Sequence, residues 1–145
     1  MEQVKIRAMH DGDLDEIYAI DKTILGKDRR EYWQMKMELL EQRSPMAQLV
    51  AELDGKVVGF IVGDASGWEY GVPDTVGFID TIGIHPDYQK QGIASVLLKE
   101  MVDSFRKVGV DSVSTFVNLR DRDLLGFFEK MGFEKGDMVH IQLKI

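Results

Sequence analysis

The sequence predicts an α+β fold, a mixed sheet covered by helices, and three observations carry that prediction. Segments of strand and helix period follow one another as β-α-α-β-β-β-α-β-α-β. A hairpin signal in the first half gives way to strict strand and helix alternation in the second. The 145 residues, 44% hydrophobic and 30% charged, have the size and balance of a single domain, residues 1–145, with a sizeable core. No internal repeat or Ser/Gly linker divides them.

Val4, Ile6 and Ala8 alternate with Lys5 and Arg7 and stop at His10-Asp11-Gly12, which predicts a first strand. Asp13 three positions before Glu16 reads as a capping-box start for a helix carrying Leu14, Ile17, Tyr18 and Ile24-Leu25. Asp28 and Glu31 repeat that signal before Trp33, Met37 and Leu40. From Ala47 to Gly63, two apolar runs around Asp54-Gly55 read as a hairpin. Ser66 to Asp74 reads as a loop, and Val76 to Ile84 resumes strand character. Ile93, Leu97, Met101 and Phe105 define the clearest helix, Ile93 to Lys107, closed by Gly109. Val110 to Val117 reads as a strand, Asp121 to Met131 as a helix ending at Gly132, and Phe133 to Ile145 as a final strand.

Composition excludes several classes. Eighteen basic against 25 acidic residues give a net charge of −7, with a pI near 4.9. That argues against nucleic acid as a partner, which wants a basic face. The strongest apolar run, Val57 to Gly63, falls far short of the roughly 18 residues that span a bilayer, so no membrane partner is expected. No secretion-signal pattern is read at the N-terminus and the chain has no cysteine, so a cytoplasmic location is expected and an acyl-cysteine route is excluded. Three histidines without metal-ligand spacing predict no metal.

The informative stretch runs from Asp80 to Ser95. A strand enters a short polar loop whose Gly92 and Ala94 lack bulk at the mouth of a long helix. Backbone N–H groups from Gln89 to Ser95 can converge there on an anion, helped by the helix dipole. The alternative is that Gly92 simply allows close strand-to-helix packing. Neither G-x-x-x-x-G-K-[ST] nor G-x-G-x-x-G occurs.

Ile84-x-Pro86-x-x-Gln89-x-x-Gly92-x-Ala94 resembles the acetyl-CoA-binding signature of the GNAT superfamily of N-acetyltransferases. Phe127-Phe128-Glu129-Lys130-Met131-Gly132-Phe133 resembles that family's second signature. The resemblance implies a mostly antiparallel sheet flanked by about four helices and splayed between strands four and five, with acetyl-CoA in the gap as co-substrate. It implies that the backbone of Ile82 and Ile84 pairs with the pantetheine arm. Gln89, Lys90, Gln91, Gly92, Ile93, Ala94 and Ser95 would hold the pyrophosphate, with Lys90, Arg120 and Arg122 near the phosphates unless they are ordinary solvated cations. Asp121 stands where the family often carries an asparagine that reaches the cofactor, and aspartate serves equally as a helix cap. Phe128 stands where many members carry a tyrosine that protonates the leaving thiolate. A phenylalanine has no such proton, so another donor, a water or an unaided thiolate would serve. Homodimers are common in the family.

The implied reaction is direct attack of a primary amine, on a small molecule, peptide or protein, within a ternary complex. The alternative is an inactive acyl-CoA-binding sensor. An ammonium must lose a proton before it attacks. By the period of two, Asp80 shares a side with Phe78, Ile82 and Ile84, among which burial would tune it towards a base. A bulge, which the family often has in this strand, would turn it away. Glu69, Tyr70, Tyr32 and Trp33 are weaker candidates for the acceptor side.

Overall fold

The computed structural model describes residues 3–40, 47–65 and 75–145. The chain divides into two compact units, Met1–Thr115 and Phe116–Ile145. The first holds a five-stranded sheet in the order β1-β2-β3-β4-β5, formed by β1 (Lys5–Ala8), β2 (Gln48–Leu53), β3 (Lys56–Asp64), β4 (Val76–Ile84) and β5 (Ser112–Thr115). Every pairing is antiparallel except β4 with β5, which is parallel. This is the mixed, mostly antiparallel α+β sheet expected, with helices α1 (Leu14–Leu25), α2 (Arg30–Leu40) and α3 (Ile93–Lys107) in the same unit.

The hairpin turns where expected. Asp54 and Gly55 both take positive φ, 53° and 75°, the conformation whose twist matches a two-residue hairpin. It delivers β3 to the middle of the sheet, where Val57 to Gly63 are all buried. One face of β3 packs Val57, Phe60 and Val62 into a cluster with Ile17, Ile20, Trp33 and Met37 from α1 and α2. Trp33 is fully buried and meets Phe60 edge-on at 5.0 Å, so it belongs to the core. The other face lies under α3, where a Cβ on Gly63 would fall within 3.0 Å of Met101 Sδ.

The start of α1 differs from the expected capping box. The Asp13 side chain makes no cap bond to α1; instead it accepts the His10 N–H at 2.9 Å and both Arg7 guanidinium nitrogens at 2.9 and 2.8 Å. The box closes one turn earlier, around the short 3-10 turn Asp11–Asp13. Glu16, freed from capping, accepts the Val57 N–H of β3 at 2.9 Å. A buried carboxylate with a guanidinium in reach gains more from that charge than from a solvent-facing helix end.

The second unit holds α4 (Arg122–Lys130), and β5 is shorter than the expected Val110 to Val117. The expected final strand, Phe133 to Ile145, is not a strand. Val139, Ile141, Leu143 and Ile145 do alternate, but a ladder needs a partner edge, and α4 is the one regular element described within this unit.

Candidate active site

Strands β4 and β5 pair from Val76 with Ser112 to Ile79 with Thr115. There β5 ends, and the Thr115 hydroxyl closes the ladder by donating to the Ile79 carbonyl at 2.9 Å. Among the described residues, β4 runs on to Ile84 with β3 as its one ladder partner. The pairing of strands four and five therefore stops one residue short of Asp80.

A bulge sits at the same residue. Val62 pairs with Thr81 and Gly63 with Ile79, so Asp80 is the extra residue on β4. Side-chain parity changes across it. A Cβ on Gly77 would meet Phe105 of α3, whereas one on Gly83 would meet Phe60 and Ile24 on the α1 side. Ile84 then lies towards Leu97 of α3, beside Gly59. The expectation that Asp80 shares a side with Ile82 and Ile84 among apolar neighbours is thus corrected. Across the bulge Ile84 takes the α3 side, while Asp80 faces α2 with its side chain 37% exposed.

There it meets α2. The Tyr32 hydroxyl donates to Asp80 Oδ2 at 2.6 Å, and Lys36 Nζ lies 2.5 Å from the same oxygen. Tyr32 and Lys36 stand four residues apart on one helical face. That spacing was the available signal for Lys36, which sequence reasoning missed, as it missed Arg29 and Asp21. Asp21, buried on α1, binds Arg29 through two bonds at 2.9 and 2.7 Å. The Arg29 guanidinium in turn lies 4.3 Å from the Tyr32 ring centre. Burial first, then the hydrogen bond to Asp80, pushes the Tyr32 phenol above its ordinary value. Tyr32 therefore keeps its proton and orients the carboxylate.

The loop after β4 is built from backbone. His85 Nδ1 accepts the Asp87 N–H at 3.0 Å, starting a 3-10 turn at Pro86–Tyr88. The Gln89 side chain reaches back to the Ile84 carbonyl at 2.9 Å. Lys90 and Gly92 take positive φ, 63° and 85°. Gly92 is the N-cap of α3 and brings no side chain to its free N–H groups. Nothing lies within 4 Å of a Cβ built on Gly92, so the glycine serves backbone conformation and not close packing. Gln91, Ile93, Ala94 and Ser95 complete this turn, Ile93 buried and anchoring it to the core.

In the second unit, Asp121 caps α4 by accepting the Leu124 N–H at 3.1 Å, the structural role open to it. Phe128 is buried, its ring 5.2 Å from Phe127 and 4.9 Å from Phe133. Arg120 and Arg122 flank the cap. Glu69 and Tyr70 lie outside the described residues. No helix among those residues is long and apolar enough to cross a membrane, and no group of three His, Asp or Glu clusters as metal ligands do.

The fourth strand of a mixed sheet outruns its parallel neighbour into a glycine-bearing helix start, and comparison with known proteins gives this frame its family. Residues 13–133 match the acetyltransferase (GNAT) family, and the chain belongs to it. It is 28% identical over 143 residues to an uncharacterized N-acetyltransferase of Methanocaldococcus jannaschii, covering 92% of this chain but only 62% of that relative's length. An acetyltransferase of Sodalis glossinidius is 27% identical over 139 residues, covering 94% and 91% of the two chains. Among solved structures, AAC(6')-Iy in complex with the bisubstrate analog CoA-S-monomethyl-acetylneamine superposes with a TM-score of 0.79 at 18% identity, over 99% of both chains. The family and class expected from the two signatures, a GNAT N-acetyltransferase, are borne out.

Proposed function

We propose that this chain transfers an acetyl group from acetyl-CoA to a primary amine by direct attack within a ternary complex. The observation that carries the reading is the continuity of one backbone surface. The edge of β4 from Asp80 to Ile84, beyond the end of β5, leads straight into the Gln89–Ser95 turn with its two positive-φ residues. The residues fit the co-substrate: an unpaired strand edge suits the amide-bearing pantetheine arm beside Ile82 and Ile84, and N–H groups at a helix start suit a pyrophosphate. Lys90 adds a cation to that turn. The family match runs from residue 13 to 133, through both units, which supports a single catalytic domain.

Acetyl-CoA supplies an activated acyl carbon. Backbone N–H groups of β4 polarise its carbonyl. Asp80, held by Tyr32, takes the proton that the acceptor ammonium must lose, directly or through one water. The thiolate leaves without Phe128, whose ring carries no proton to give; a thiol of ordinary pKa near 8.5 is a tolerable leaving group. An amine acceptor agrees with the Asp80 carboxylate and with the bisubstrate analog in complex with AAC(6')-Iy, an aminoglycoside N-acetyltransferase.

Calorimetric titration with acetyl-CoA, followed by thiol release over a panel of amines, amino acids and peptides, tests the reading. Binding with turnover is expected. Binding without turnover on any amine would favour an acyl-CoA sensor, the reading that Phe128 motivates; failure to bind would remove both.

A further inference from the structure

Lys36 has no part in the transfer just described, yet its ammonium already sits on the carboxylate assigned as proton acceptor. We infer that Lys36 is itself an acetyl acceptor, a self-modification site where the chain's own primary amine takes the seat of an external one. The inference rests on the proposed function and deepens it.

The geometry that supports it is a held amine at the right strand position. Asp80 is the bulged residue just beyond the last β4 pairing with β5. Lys36 Nζ lies 2.5 Å from Asp80 Oδ2 and 5.6 Å from the Tyr32 ring centre, with its side chain 25% exposed. The seat is rigid: Tyr32 donates to the same carboxylate oxygen, and Arg29, locked to buried Asp21, lies against the Tyr32 ring. An amine pre-positioned in this way reacts as a unimolecular partner and needs no acceptor pocket.

In the step, the Lys36 ammonium passes one proton to Asp80, and the freed lone pair forms a bond to the thioester carbonyl carbon. The adduct's nitrogen gives up its second proton as the C–S bond breaks; coenzyme A departs as its thiolate and takes up that proton, and Asp80 returns the first to solvent. Net, a lysine ammonium and acetyl-CoA give acetyl-lysine, the free thiol and one released proton. Acetylation removes the Lys36 charge and its ion pair, leaving the Tyr32 hydroxyl on Asp80 and the seat open to an external ammonium.

The full chain, incubated with acetyl-CoA and no added acceptor and followed by peptide mapping in a mass spectrometer, tests this. Lys36 should acquire the acetyl group about tenfold or more faster than exposed Lys99 and Lys107, at a rate independent of protein concentration. Asp80→Asn should bring Lys36 down to the rate of those exposed lysines. A wild-type rate at Lys36 no faster than theirs, or one unchanged by Asp80→Asn, overturns the inference. Titration with acetyl-CoA and the amine panel, on the same sample, separates the two failures. A chain that binds acetyl-CoA and acetylates an amine while Lys36 stays bare disproves self-acetylation alone; one that does not bind removes the proposed function and this inference together.

Discussion

The two ends of the β4 stretch beyond β5 are built from different materials. At Ile84 to Ser95 the surface is backbone: two positive-φ residues, a helix start without a side-chain cap, and a glutamine that braces the strand end. At Asp80 it is side chain: a carboxylate whose Oδ2 has a phenol at 2.6 Å and an ammonium at 2.5 Å, steadied by a guanidinium on a buried aspartate. A ligand shared by a whole family suits the first kind of surface, because backbone donors survive changes of side chain. An acceptor that varies between relatives suits the second, where substitutions on one helix re-shape the seat.

The comparison breaks most sharply at its chemical end. Asp80→Asn removes the proposed proton acceptor and keeps the shape, so kcat should fall roughly 100-fold or more, most at low pH where the acceptor is hardest to deprotonate, with acetyl-CoA affinity nearly intact. Steady-state rates from pH 6 to 9 beside calorimetric titration check it; an unchanged kcat across that range takes Asp80 out of the mechanism. Gly92→Val is the converse. No atom stands in the way of a new Cβ, but a β-branched residue is excluded at φ 85°, so the turn must rearrange at a cost of about 2–3 kcal/mol. Acetyl-CoA should bind roughly 30-fold to 100-fold more weakly, and Gly92→Ala should lose less. Retained affinity in the valine variant would contradict the loop assignment.

The same contrast explains what could be read from sequence. Backbone surfaces leave a spacing: Pro86, Gln89, Gly92 and Ala94 mark the turn because each position needs a small, rigid or amide-bearing residue at a fixed offset. The sheet, the hairpin and α3 were legible for similar reasons of period and turn chemistry. The side-chain end was half legible. Asp80 stood out as a carboxylate in an apolar strand, but the bulge that puts Ile84 on the opposite side from it is a matter of register with β3, which no local pattern encodes. Lys36 and Arg29 join the site only because α2 packs across the sheet. Phe133 to Ile145 carried a strand's alternation, yet alternation alone supplies no partner.

A gentler variant sharpens the division between chemistry and positioning. Tyr32→Phe removes one donor from Asp80 while keeping the ring under Arg29, so kcat should fall roughly three- to tenfold with acetyl-CoA affinity unchanged. Burial and Asp80 together hold the phenol above its ordinary value, so it stays protonated across the working range. The pH-rate profile should therefore keep its shape up to about pH 10, merely lowered. A lost alkaline limb in the variant would make Tyr32 an acid in the reaction and place chemistry on α2.

The smallest effect on activity is expected where the charge cluster is structural. Burial pushes the Asp13 carboxyl up, but hydrogen bonds from Arg7 and the His10 backbone outweigh it and hold the group below its ordinary value. A carboxylate depressed in the folded state stabilises fully above its unfolded pKa, near 3.9, and that contribution is lost as pH falls through the folded value. Asp13→Asn should therefore cost roughly 1–2 kcal/mol at pH 7, seen as a lowered Tm, and progressively less below pH 4 as the wild type gives up the same interaction. Turnover at 25 °C should stay at the wild-type level, since Arg7 and Asp13 tie β1 to the start of α1 and share no bond with the Asp80 cluster. Thermal melts at several pH values, beside the amine assay, decide it. A kcat that fell with Asp13→Asn as it does with Asp80→Asn would mean that the seat is set by the whole α1 and α2 face, and that the side-chain end of the site reaches further than Tyr32, Lys36 and Arg29.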